Sequence, residues 1–220
     1  ALNPHSHPVT RGGAENDDIY FQGREAQNAH FAKVIDIADE YFKEASRLTG
    51  RTYAPFVYYG AKDATHVIVA MGSGADTVVQ TVTRLAKEGH KVGAIKVRLY
   101  RPFSVSHFVK ALPETTKTIT VLDRTKECGA AYEPLALDIM SALADAGISG
   151  IKVLGGRYGL SSKEFTHDHV IAIHENATGA KPKNHFTVGI VDDITKTSLP
   201  ANKLTLDFAD KNMVECRFYG

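Results

Sequence analysis

The chain contains no tryptophan, three methionines and two cysteines in 220 residues. Cys128 and Cys216 stand alone, without C-x-x-C spacing, and so cannot by themselves hold an iron–sulfur cluster or a structural zinc. They read as two unpaired thiols in a reducing compartment. Excess charge is also missing: 26 Lys and Arg face 25 Asp and Glu, for a formal net charge of +1. That balance removes the electrostatic footprint expected of a nucleic-acid binder or of a protein held on an acidic membrane. Apolar runs stop far short of the roughly 20 residues of a membrane span. No basic segment followed by an apolar one opens the chain, so the expectation is a protein that is not secreted. No H-E-x-x-H and no G-K-[ST] occurs either.

What the chain does have is a 43% hydrophobic content, enough for a sizeable core. Residues 1–25 carry Pro4, Pro8, Gly12, Gly13, Asn16, Asp17 and Asp18 and read as an extended arm anchored by Ile19, Tyr20 and Phe21. Phe31, Val34, Ile35, Ala38, Tyr41, Phe42, Ala45 and Leu48 have helical spacing, and Gly50 ends that helix. Residues 51–64 read as a connector. From Thr65 an apolar strand, the turn Gly72-Ser73-Gly74, an amphipathic helix and a second strand from Val92 to Leu99 form a βαβ unit. Ser73 and Asp76 loosely match a helix-capping box. Ser104 can cap a short helix before a third strand, Thr118–Leu122. A fourth strand is expected at Ile151–Leu154, a helix from about Lys163 to Ala177, and a fifth strand at Phe186–Val191. This alternation predicts a three-layer α/β/α domain over 26–192 with a mainly parallel five-stranded sheet. Residues 193–220 are polar and turn-rich and end on a strand-like stretch, as a lead into a following domain would. That ending and the start at Ala1 raise the expectation of a processed or excised chain.

Candidate chemistry sits where open α/β sheets place ligands, at the carboxyl ends of the strands. The Gly72-x-Gly74 turn begins like a dinucleotide fingerprint, but its third glycine is replaced by Thr77. The second strand ends on Arg98, Tyr100 and Arg101, with no carboxylate for a ribose, although arginines suit a 2′-phosphate. Ser73 therefore marks either a tight strand-to-helix turn, the favoured reading, or an anion on a helix N-terminus. Asp123-Arg124-Thr125-Lys126-Glu127, sharing the edge with Arg98 and Arg101, reads as inter-domain salt bridges and caps before it reads as a substrate contact. His167, His169 and His174 invite a metal, yet residues two apart do not share a helix face. Asn176-Ala177-Thr178 fits a glycosylation sequon and is taken as chance.

Taken in order, several strings carry a resemblance: Tyr20-Phe21-Gln22-Gly23-Arg24-Glu25-Ala26, Met71-Gly72-Ser73, and Lys96-Val97-Arg98-Leu99-Tyr100-Arg101-Pro102-Phe103. They continue with Val121 to Glu127, Gly156-Arg157-Tyr158-Gly159-Leu160, and Asn184 to Ile190. Together they resemble pyruvate:ferredoxin (or flavodoxin) oxidoreductases. The resemblance implies an internal segment of a larger enzyme. Residues 1–25 would be the tail of a preceding thiamine domain, and the bulk a domain similar to the carboxyl-terminal domain of transketolases. It implies that the parent converts pyruvate and coenzyme A to acetyl-CoA and CO2 with thiamine diphosphate, Mg2+ and iron–sulfur clusters, passing electrons to ferredoxin or flavodoxin. It places no thiamine-, pyruvate- or cluster-binding residue in this chain. Cys128 stands where the family usually has proline. The implied setting is a homodimer in bacterial cytoplasm or in an anaerobic organelle such as a hydrogenosome. Rival readings are a free-standing NADP-linked dehydrogenase, or the same module within a pyruvate:NADP oxidoreductase or a sulfite-reductase subunit.

Overall fold

The computed structural model describes residues 5, 6, 8, 13–201, 214 and 216. Expectations for most of the first dozen residues and for the strand-like end lie outside that range. Two helices come first, α1 (Asp17–Ala26) and α2 (Asn28–Thr49). Asp17 and Asp18, read in the sequence as turn formers, instead occupy the first turn of α1, where carboxylates complement the positive end of the helix dipole. The arm is therefore helical in its second half. Gly50 ends α2 in the left-handed conformation expected of a helix-stop glycine.

Among the described residues the sheet has six strands rather than five. The extra strand is β1 (Phe56–Gly60), in the supposed connector. It was hidden because an edge strand of five residues that follows Pro55 and ends on Gly60 carries little periodic signal. The other strands are β2 (His66–Met71), β3 (Val92–Val97), β4 (Thr118–Asp123), β5 (Lys152–Arg157) and β6 (Phe186–Thr187), in the order β1-β3-β2-β4-β5-β6. Among the described strands only β1 is antiparallel, pairing Phe56 with Val97 through to Gly60 with Gly93. The remaining pairs are parallel.

Helices α3 (Gly74–Lys87) and α6 (His167–Thr178) cover one face, and α4 (Val105–Ala111) and α5 (Pro134–Asp145) the other. Strand β2 is a nearly continuous apolar run because both its faces are buried, and β4, although it carries Thr118, Thr120 and Asp123, is buried along most of its length as well. Ile68 and Ala70 face the α3/α6 side, and Val67 and Val69 the α4/α5 side. Ser73 and Asp76, read as a loose capping box, form no such cap. Ser73 is already helical, its side chain makes no cap bond, and Asp76 pairs with Lys96. Ser104 has the extended backbone of a cap, but its hydroxyl bonds His107 Nδ1 at 2.7 Å rather than a helix amide.

Strand β5 runs three residues further than its apolar stretch suggests, through Gly155 and Gly156. These glycines are strand residues because rings lie over them. A Cβ at Gly156 would sit 2.3 Å from the Phe186 ring, and one at Gly155 would sit 3.0 Å from Tyr132. The last strand is conversely shorter than expected. After Thr187 the chain leaves the sheet and returns at Ser198, beside Thr187. The helix expected from about Lys163 begins instead at His167, and a short 3-10 turn, Leu160–Ser162, precedes it. Among the described residues no helix is long and apolar enough to cross a membrane.

Candidate functional site

Because β3 lies on one side of β2 and β4 on the other, the strand order reverses between β2 and β4. A crevice opens at such a switch point, outside the carboxyl ends of the strands. Here its walls are the β2–α3 turn and the β4–α5 loop, and it encloses about 450 Å3. Ser73, Asp123 and Arg124 from the sequence reading all line it, with Tyr100, Tyr158 and Pro134 beside them. The remaining candidates point elsewhere. Arg101 turns to Asp138 on α5, at 2.8 Å, and stacks over the Tyr100 ring. Arg98 lies over the Tyr53 ring at 4.6 Å. Lys126 reaches toward Glu133 at 3.8 Å.

The polar groups of the crevice are largely engaged with the fold itself. Asp123 is buried, and its carboxylate accepts the amides of Leu135 at 3.0 Å and Ala136 at 3.2 Å. These are orphan donors at the start of α5, where Pro134 contributes no N–H of its own. Burial pushes the Asp123 carboxyl above the usual carboxylate range, against the two amides, which draw it down. Arg124 donates from Nε to the carbonyl of Gly159 at 2.7 Å. Tyr158 packs its ring against Gly74 and points its hydroxyl at the Met71 carbonyl. Burial raises the Tyr158 hydroxyl, and burial with the Asp138 carboxylate raises that of Tyr100 to about 12, so both stay protonated at neutral pH. Ser73 is exposed and has no base beside it. The G-x-G turn is thus a close approach of α3 to the Tyr158 ring. It lacks the nucleophile–base pairing that covalent catalysis requires.

Next to the crevice, past β5 and β6, lies a second and larger hollow of about 540 Å3. Lys126, Arg157 and Lys163 line it together with the apolar Leu160, Val188 and Ile190. Arg157 is held from within by the His185 carbonyl at 2.7 Å and by Glu133 at 3.4 Å. Val191, which also lines it, and Ile194 are 89% and 94% exposed.

The histidines divide differently from the sequence reading. His167 goes to Thr81 at 2.8 Å, and His169 accepts the Thr166 amide at the start of α6. His174 pairs with His66 through their Nδ1 atoms at 3.0 Å. His66 was missed because it opens β2, 108 residues away in sequence. Nothing local marks it. Its Nε2 bonds the Thr120 hydroxyl at 2.9 Å, and His90 lies edge-on to His174. Among the described residues no group of three or more His, Cys, Asp or Glu is arranged to hold a metal ion. Both cysteines are exposed and unpaired. The sequon Asn176 brackets Lys183, donating to its carbonyl and accepting its amide.

Comparison with known proteins bears on what this edge serves. The model of the family "Pyruvate:ferredoxin oxidoreductase core domain II" matches residues 64–170, from the lead into β2 to the start of α6. Along its whole length the chain is 50% identical to 19% of the probable pyruvate-flavodoxin oxidoreductase of Escherichia coli. It is likewise 50% identical to 18% of the pyruvate:ferredoxin oxidoreductase of Moorella thermoacetica. A pyruvate dehydrogenase [NADP(+)] of Cryptosporidium parvum matches at 46% identity, the chain covering 12% of it. The chain thus spans under a fifth of the length of these curated relatives. It belongs to the pyruvate:ferredoxin oxidoreductase family, as a segment that carries the core domain II.

Proposed function

We propose that this chain is a structural and interface domain of an enzyme that oxidatively decarboxylates pyruvate with coenzyme A to acetyl-CoA and CO2, reducing ferredoxin or flavodoxin. The observation that carries the scaffold reading is the capture of Asp123 by the α5 amides, at the one position where an open α/β sheet would present a catalytic carboxylate. Ser73, Arg98, Arg101, Asp123, Arg124 and Lys126 serve shape and contact in this reading, not chemistry. Residues 1–25 belong with a preceding thiamine domain, 26–192 with this α/β domain, and 193–220 with the approach to a following one. The partners are therefore the other domains of the same polypeptide, in a homodimer located in the cytoplasm or in an anaerobic organelle.

Thiamine diphosphate with Mg2+ supplies carbanion stabilisation in such an enzyme, and iron–sulfur clusters carry the electrons away. The donor set of this domain does not fit those groups: the crevice's buried carboxylate is bonded to the fold, and no described side-chain cluster could take a metal. Those groups belong to other parts of the parent enzyme. The domain alone is inert. Calorimetric titration of the chain with thiamine diphosphate plus Mg2+, with coenzyme A and with NADP+ tests this. Heats below detection are expected for all of them, and micromolar binding of any one overturns the inert-scaffold reading.

The Cryptosporidium relative favours a second reading, in which the parent enzyme delivers electrons to NADP+. Assaying the full-length enzyme with pyruvate and coenzyme A separates the two. Reduction of ferredoxin or flavodoxin without NADP+ supports the first.

A further inference from the structure

Helix α2 is 22 residues long, yet none of its side chains is fully buried. At 100° per residue its apolar positions form two stripes rather than one. Ile35, Ala38, Phe42 and Ala45 are half-buried and make the inner stripe. Val34, Ile37, Tyr41 and Leu48 make a second stripe, rotated by roughly 90° from the first. They lie open, with Tyr41 73% and Leu48 67% exposed. The two stripes together cover roughly 160° of the helix, wider than the arc of about 100° that one packed face requires. The charged residues Lys33, Asp36, Glu40, Lys43, Glu44 and Arg47 fill the arc that remains. The chief contact of α2 with another element is α1, itself exposing Ile19, Tyr20 and Phe21.

We propose that the second stripe of α2 docks onto an apolar face supplied by the remainder of the full-length polypeptide. This rests on reading the chain as one segment of a larger enzyme. Relatives that match all of this chain are over five times as long, the chain covering 19% and 18% of two of them, so α2 folds beside a great deal of further protein. A face in the same polypeptide meets the helix at high effective concentration, an advantage a separate molecule lacks. A second copy of the chain fits less well. Val34, Ile37, Tyr41 and Leu48 follow the alternating spacing of a helix seam, but Glu44 occupies the step between Tyr41 and Leu48. Glu44 is paired with Arg47 at 2.6 Å, and self-association along the seam would bring both copies of that ion pair into the contact.

The test compares the 220-residue chain with the full-length enzyme that contains it. Val34→Cys, Tyr41→Cys and, on the charged face, Lys43→Cys are labelled with a maleimide and read by peptide mass mapping, which separates them from Cys128 and Cys216. Labelling of Val34→Cys and Tyr41→Cys is expected to be at least roughly tenfold slower in the full-length enzyme than in the chain, with Lys43→Cys unchanged. Amide exchange across α2 in the unsubstituted proteins reads the same protection if a variant does not fold. Equal rates in the two proteins overturn the proposal. So does protection in the chain alone that rises with concentration alongside a dimer, which would assign the stripe to a second copy. Pyruvate oxidation by the unsubstituted enzyme is scored separately. A protected helix in an enzyme inactive on pyruvate sinks the functional reading alone, and an active enzyme with an open stripe sinks this one alone.

Discussion

The carboxylate of Asp123, at the end of β4, accepts the amide of Leu135, in the first turn of α5, at 3.0 Å. They are twelve positions apart in sequence, so this contact ties the far end of the loop back to the sheet. The Ala136 amide shares the same carboxylate at 3.2 Å. Replacing Asp123 with Ala strands both donors in a buried site. We expect a loss of about 2 kcal/mol, read as a lower urea midpoint at unchanged slope. An unchanged midpoint would show that water or a loop shift replaces the carboxylate.

Glu133 stands at the N-cap position of the same helix, makes no capping bond through its side chain, and is only 3% exposed. Its nearest cation is Arg157 at 3.4 Å, with Lys126 further out at 3.8 Å. Arg157→Met removes the buried partner and leaves a carboxylate with one distant, exposed lysine. A cost of about 3 kcal/mol is expected. Adding Glu133→Gln to it should recover part of that loss, so the double variant is more stable than the sum of the two single changes predicts. Strict additivity in urea unfolding would mean that the pair is not coupled.

Acid should destabilise the domain through His66 and His174. Burial lowers His66 from 6.5 to about 3, with the nearby His174 adding to the effect, and lowers His174 to about 4, with His90 adding to it. Both rings are neutral when folded and take up protons when unfolded. Their contribution is therefore fully present above pH 6.5 and is lost as the pH falls through about 4 and about 3. The Nδ1–Nδ1 bond holds one proton, so charging both rings would oppose two N–H groups. Thermal melts between pH 7 and pH 4 should show a falling Tm, and His174→Gln should flatten the slope. A His174→Gln variant with the wild-type slope would place the acid lability elsewhere.

Gly74 tests whether the β2–α3 turn is a matter of packing. A Cβ there would lie 2.5 Å from the Tyr158 ring, which is itself buried. Gly74→Ala should cost about 1–3 kcal/mol, as overpacking typically does. Combining it with Tyr158→Leu should relieve much of the clash, which a melt of the double variant would detect. If Gly74→Ala were neutral, the turn would have room that the structure does not give it.

Much of the layered fold was legible because parallel strands and their covering helices write long, periodic signals. The β2–α3–β3 unit and the α2 helix were read close to their observed bounds. What stayed illegible depended on contacts distant in sequence. Gly155 and Gly156 read as a loop, but belong to β5 because Tyr132 and Phe186 come from elsewhere to cover them. Strand β1 was missed because its partner, β3, lies beyond β2. At the crevice, the sequence assembled Ser73, Asp123 and Arg124 along one edge. It could not show that Asp123 turns inward to α5, since the Leu135 and Ala136 amides leave no mark in residue identity. The pairing of His66 with His174 is invisible for the same reason.

Strand β6 is two residues long, and the segment that returns beside it adds a single bridge at Ser198. At that margin the sheet offers almost no ladder of free amides and carbonyls for another chain to extend. Growth by strand addition is closed there. A neighbour approaching from the β6 side must be recognised through side chains, such as the protruding Val191 and Ile194, and not through its backbone. Specificity on that side is therefore written in residue identity, where single substitutions can retune it without disturbing the sheet.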